Sequence, residues 1–97
     1  MAGPSRHPDP ARNAYRADLA DVSLAGVVIA SHYADPLERR VTRAAVLRDG
    51  PSDDAEPLGD LKGGARFAML DNSLGWAWGY AGADRRVGYV RSEALGL

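Results

Sequence analysis

The sequence predicts an all-β domain, built as a small barrel or sandwich of short strands. Five short strand-like segments are separated by glycine-rich turns, and no long amphipathic helix interrupts them. The stretch GWAWGY at residues 75–80 adds a third observation, because large aromatic and small residues alternate along it. Such alternation is typical of a strand whose two faces meet different surroundings.

The first part of the chain is predicted to be an arm followed by an extra strand. Residues 1–21 form the arm, and its first ten residues, which include three prolines and a glycine, are expected to be poorly ordered. The barrel is expected to span residues 22–97. Within 22–33, the run VVI predicts a buried strand. The charged stretch ADPLERR at 34–40 is expected to be a turn and a link.

The core of the barrel is expected within residues 41–95. Its strand candidates are VTRAAVLR (41–48), ARFAMLD (65–71), WAWGYA (76–81) and VGYVR (87–91). Residues 49–60 contain two prolines, two glycines and five acids, which predict a long, mobile loop. NSLG at 72–75 predicts a tight hairpin, and SEAL at 92–95 a single helical or 3-10 turn.

Composition excludes several classes of function. The chain has no cysteine, so it has no disulfide, no thiolate metal site and no cysteine nucleophile. A net charge of −1 gives no overall attraction to nucleic acid, and no apolar run is long enough to span a bilayer. No cofactor, metal, nucleic-acid or membrane partner is predicted. The N-terminus lacks the apolar segment of a secretory signal, which favours a cytoplasmic location.

The order of the predicted elements is the plan of an SH3-like barrel, and residues 44–95 resemble a bacterial SH3 domain. The shared landmarks are RDGPS at the start of the long loop, LGDLKGGARF entering the second hairpin, GW at 75–76, and GYV with a later leucine at the end. The preceding stretch DPARNAYRADLADVSLAGVV, together with GWAWGY and VGYV, is similar to the N-terminal SH3 domain of NlpC/P60-type peptidases of alphaproteobacteria.

This resemblance implies a role beside an enzyme. In the family, a cysteine peptidase domain follows the SH3 domain, and the whole protein is similar to γ-D-glutamyl-L-diamino acid endopeptidases. These enzymes cut stem peptides of peptidoglycan, often during recycling in the cytoplasm. The present chain has no cysteine and is therefore not expected to be an enzyme. It is expected to dock on an NlpC/P60 catalytic domain and to help form the pocket for a muropeptide. The alternative is a stand-alone SH3-like adaptor that binds a protein or peptide.

Four aromatic residues are the predicted lining of a ligand site. Because Ala77 and Gly79 are small, they are expected to face the barrel interior, which leaves the aromatic row outside it. That row would be covered by the N-terminal arm or the catalytic domain, or would contact the ligand directly. The predicted lining residues are Trp76, Trp78, Tyr80 and Tyr89.

Charged residues give two further predictions. The acidic loop could bind the free amino group of a peptide, and Asp49 is the favoured residue because it lies where the strand meets the loop. The densest basic group divides between the two faces of a strand, which favours pairing with the loop acids over nucleic-acid binding. This group consists of Arg39, Arg40, Arg43 and Arg48.

Overall fold

A computed structural model describes residues 14, 16, 19–21 and 32–97, and these residues contain eight short strands and one 3-10 turn. The strands are β1 (Leu19–Asp21), β2 (His32–Ala34), β3 (Leu37–Arg40), β4 (Ala45–Arg48), β5 (Pro57–Leu61), β6 (Arg66–Ser73), β7 (Trp76–Ala81) and β8 (Arg86–Arg91). The 3-10 turn spans Ser92–Leu95. The predicted disorder of the first ten residues and the predicted VVI strand lie outside the described residues.

Six of the strands form one antiparallel sheet in the order β3-β6-β7-β8-β4-β5. The other two, β1 and β2, pair in parallel with each other. The prediction of an all-β fold is confirmed. The six-stranded sheet does not close on itself, because β3 and β5 are its outer strands and do not pair with each other.

Two segments that the sequence predicts to be connections are strands. The charged stretch 34–40 contains β3, which pairs with β6 with Leu37 opposite Met69. The predicted loop at 49–60 ends at Glu56, because β5 begins at Pro57 and pairs with β4. Both are outer strands of the sheet, where exposed charged residues and proline are tolerated. Their amino-acid composition is therefore similar to that of a connecting loop.

The core lies on the inner face of the sheet. Ala77 is fully buried there, as predicted from its place between the tryptophans. The strand predicted at 41–48 is confined to β4, and Val41 and Leu47 of this segment both join the core. The buried cluster consists of Val41, Leu47, Phe67, Ala77, Ala81, Val90 and Leu95.

The predicted hairpin and the predicted last turn are both confirmed, and they contact each other. Leu74 and Gly75 connect β6 to β7 with φ angles of 55° and 85°, the sign that a two-residue hairpin loop requires at both central positions. The backbone N–H of Ser92 donates to the Gly75 carbonyl at 2.9 Å, and the Ser92 hydroxyl donates to Oδ1 of Asn72. The 3-10 turn is thereby fixed against the hairpin.

Strand β6 carries a β-bulge that changes which side chains reach the outer face. Met69 pairs with Gly79 and Asp71 pairs with Trp78, so Leu70 has no partner on β7. In a regular ladder Asp71 would lie on the inner face with Met69. The extra residue reverses the alternation and places Asp71 beside Trp78.

Candidate functional site

The outer face of the sheet is built around the aromatic row of β7. Trp78 lies between Asp71 of β6 and Tyr89 of β8 in the strand register. The rings of Trp78 and Tyr89 are 6.4 Å apart and tilted by 36°. The structure therefore brings the predicted aromatic residues together on one face, opposite the core.

The N-terminal arm covers half of this face. Ala14 is fully buried, and its backbone N–H donates to the hydroxyl of Tyr80 at 3.0 Å. Trp78 and Tyr80 are themselves buried in the same cluster, together with Ala68 and Leu70. Two of the predicted lining residues are thus largely shielded from solvent by the protein's own chain.

Arg16 fixes the arm to the sheet through contacts that include Trp78, Asp71 and Tyr89. Its guanidinium carbon lies 4.4 Å from the centroid of a Trp78 ring. One amino group pairs with Asp71 at 3.1 Å, and the other donates to the Tyr89 hydroxyl at 3.4 Å. The side chains of Arg16 and Asp71 are only 23% and 29% exposed, so this pair is less screened by solvent than a surface ion pair.

The other half of the face opens into a cleft of about 390 Å³, here called the aromatic cleft. Trp76 and Tyr89 form its aromatic walls, and Arg16 and Asp71 supply one charge of each sign. Pro51, Ser73 and Leu74 complete its lining. Of the predicted lining residues, Trp76 and Tyr89 are therefore the two that line this cleft.

Residues 47–95, just over half of the chain, match the bacterial dipeptidyl-peptidase SH3 domain family. The chain belongs to this family. The predicted SH3-like fold is thereby confirmed, and the domain is of a non-catalytic kind typical of peptidases. No curated protein and no solved structure matches the chain.

In this SH3 domain Asp49 closes the base of the long loop. Its backbone N–H donates to the Glu56 carbonyl at 3.0 Å, and its Oδ1 accepts from the Glu56 N–H at 3.1 Å. Asp49 does not line the aromatic cleft, to which this loop contributes Pro51 instead. Its contacts give it a role in shaping the loop, and its binding of an amino group stays a prediction.

The arginines of the predicted basic group do not pair with the loop acids. Arg43 pairs with Glu93 at 3.1 Å, and Arg48 donates to the backbone carbonyl of Ala55 at 2.9 Å. The loop acid that does form an ion pair is Asp53, and its partner is Arg91. The prediction was wrong, since the arginine that pairs with the loop is Arg91 at the end of β8.

Sequence reasoning missed Arg16 and Asp71, the two charged residues of the aromatic cleft. By simple alternation along β6, Asp71 belongs to the inner face, and only its pairing with β7 reveals the bulge. Arg16 reaches the cleft through a tertiary contact that no local pattern marks. In the sequence it is one of three arginines in the arm, and no pattern distinguishes it from Arg6 and Arg12.

The described residues offer no metal centre, since no three of their His, Asp or Glu side chains are grouped to hold an ion. Among the same residues, no helix is long and apolar enough to cross a membrane. The aromatic cleft itself offers one cation, one carboxylate, hydroxyl groups and aromatic rings.

Proposed function

We propose that this SH3 domain is a non-catalytic part of an NlpC/P60-type cysteine peptidase that cuts stem peptides of peptidoglycan in the cytoplasm. Membership of a peptidase-associated SH3 family supports the non-catalytic role. The resemblance of DPARNAYRADLADVSLAGVV and GWAWGY to the SH3 domains of such enzymes supports the type of peptidase and its substrate class.

The domain docks on the catalytic domain with the open half of its outer face. The observation that carries this proposal is the aromatic cleft, which the N-terminal arm leaves uncovered. Leu74 stands at the rim of this cleft with 98% of its surface exposed. An exposed leucine beside Trp76 and Pro51 forms an apolar rim that suits contact with a second domain.

The aromatic cleft forms one wall of the muropeptide site. A stem peptide carries carboxylates, amino groups and methyl groups. The cleft offers Arg16 for a carboxylate, Asp71 for an amino group and Trp76 for an apolar group. Buried Trp78 and Tyr80 support this wall from below and do not contact the ligand.

Titration of the ¹⁵N-labelled protein with the tripeptide L-Ala-γ-D-Glu-diaminopimelate tests this function by NMR. We expect saturable shifts at the Trp76 indole N–H and at the amides of Ser73 and Leu74, with no hydrolysis of the tripeptide. Tyr89→Phe removes a hydroxyl that lines the cleft and weakens binding. The matched control is Tyr33→Phe, the same substitution in β2, a strand that does not belong to the six-stranded sheet.

Three outcomes would count against the proposal. Shifts that spare both the loop at 49–56 and the strands carrying Trp76 and Tyr89 would exclude this wall as the ligand site. Hydrolysis by the isolated chain would contradict its non-catalytic role. Binding of an unrelated protein-derived peptide, with no response to the tripeptide, would favour a stand-alone adaptor.

A further inference from the structure

A second cleft lies on the other side of Trp76, where β4 and β8 diverge. The two strands pair only at Arg48 and Tyr89, so the segment 44–46 is not paired with β8. The opening between them has a volume of about 230 Å³. Trp76 forms one wall, and we call the opening the arginine cleft because it is lined by Arg43, Arg48 and Arg91.

The charges around the arginine cleft do not balance. Two of its arginines have carboxylate partners, Asp53 for Arg91 and Glu93 for Arg43. Arg48 has no carboxylate partner among the described residues, and it is oriented by its hydrogen bond to the Ala55 carbonyl. The cleft therefore keeps one excess positive charge, with the guanidinium held in place by the loop.

The guanidinium of Arg91 is oriented to bind a carboxylate. Its Nε and one terminal nitrogen donate to the two different oxygens of Asp53, a bidentate geometry that a planar guanidinium provides and a lysine does not. Its guanidinium carbon lies 4.6 Å from the centroid of a Trp76 ring, which fixes the plane of the group.

Asp53 is bound only weakly to the Arg91 guanidinium. Its side chain is 65% exposed, and that of Arg91 is 48% exposed. Exposed ion pairs contribute little to stability, so a carboxylate from a ligand can replace Asp53 at small cost. Asp53 lies on the loop at 49–56, beyond the hydrogen bonds between Asp49 and Glu56 that close the loop base.

We propose that the arginine cleft binds a carboxylate group of a peptide through Arg91 and Arg48, and that Asp53 is an internal stand-in which competes with it. The Trp76 ring and the methyl groups of Ala44 and Ala94 contact the apolar part of the ligand. A single excess charge and a small volume suit one acidic residue or a peptide C-terminus, and are too little for a nucleic-acid backbone. This site shares Trp76 with the aromatic cleft but opens on the other side of that ring, and it does not depend on the proposed peptidase role.

N-acetyl-L-glutamate is the probe, and N-acetyl-L-glutaminamide, in which both carboxylates are replaced by amides, is its uncharged match. In NMR titrations at low salt, we expect the glutamate probe to shift the Trp76 indole and Arg91 Nε signals with a millimolar Kd, and the glutaminamide probe to leave them unchanged. Asp53→Asn removes the competitor and should tighten binding about two- to fivefold. Arg91→Ala should abolish binding. Arg91→Lys keeps the positive charge but loses the bidentate geometry of the guanidinium, and it should weaken binding of the probe.

Arg85→Ala is the control, because Arg85 lies over Tyr80, away from this cleft. It should bind the probe as the unmodified protein does. Equal responses to the two probes, or an unchanged affinity in Asp53→Asn, would overturn the proposal. Inorganic phosphate that binds more tightly than N-acetyl-L-glutamate would show a general anion site in place of a peptide-carboxylate site. Retained amide shift dispersion in Arg91→Lys separates lost binding from lost folding.

Discussion

The guanidinium of Arg16 lies over the Trp78 ring, with 4.4 Å between the guanidinium carbon and the ring centroid, and pairs at the same time with Asp71. Together with the burial of Ala14 against Tyr80, this makes the N-terminal arm part of the outer face. The face is thereby divided into a covered half and an open half. The open half forms the aromatic cleft, which is available to a partner or ligand.

Arg16→Ala should destabilise the protein by about 1–2 kcal/mol, because it removes a stacking contact and a half-buried ion pair together. The free energy of unfolding in urea measures this. Tryptophan emission should also shift to longer wavelength, because Trp78 loses its cover. Arg43→Ala is the matched control, since Arg43 and Glu93 are 64% and 56% exposed and their pair contributes about 0–1 kcal/mol. Equal losses in the two variants would contradict an anchoring role for Arg16.

Gly79→Ala should be among the most damaging single changes in the sheet. A Cβ atom at this position would lie 2.0 Å from the carbonyl oxygen of Ala68, so the backbones of β6 and β7 would have to separate. We expect a loss of about 3 kcal/mol, the upper range for overpacking, in urea unfolding. Gly59→Ala on β5 is the control, because nothing lies within 4 Å of a Cβ there. A Gly79→Ala protein as stable as Gly59→Ala would exclude this close approach.

Leu74→Asn should stabilise the hairpin. Leu74 has a φ angle of 55° and is almost fully exposed, so it carries backbone strain without the compensation of burial. Asparagine tolerates this conformation, and Asn-Gly is the preferred pair for a two-residue hairpin. We expect a gain of about 0.5–1 kcal/mol in the free energy of unfolding. Leu97→Asn, which also removes an exposed leucine, should leave stability unchanged, and a loss in Leu74→Asn would show that its side chain has a packing role.

Local patterns predicted the parts of this fold that depend on near neighbours in the chain. The alternation in GWAWGY separates the core side of β7 from its outer side, because successive strand residues point to opposite faces. The NSLG hairpin followed from its turn residues in the same way. Both features are fixed within a few residues, so the sequence displays them directly.

The features that escaped prediction depend on pairing between distant segments. The outer strands β3 and β5 have few buried positions, so no burial pattern marks them as strands. The bulge at Leu70 exists only in relation to β7, and it decides that Asp71 enters the aromatic cleft. The contact of Arg16 with Trp78 requires the sheet to be formed already. The charged half of the candidate site was therefore hidden, although its aromatic half was predicted.

The arm should dock as a unit, so the effects of Tyr80→Phe and Arg16→Ala should not add. Tyr80→Phe removes the hydroxyl that accepts the Ala14 N–H, and leaving that buried donor unpaired costs about 1–2 kcal/mol. When either contact is removed, the arm detaches and the remaining contact no longer contributes to stability. The double variant should therefore lose less stability than the sum of the two single variants. Urea unfolding of the four proteins in the cycle measures the coupling. Strict additivity would mean that Ala14 and Arg16 are held independently, and that the covered half of the outer face can open in parts.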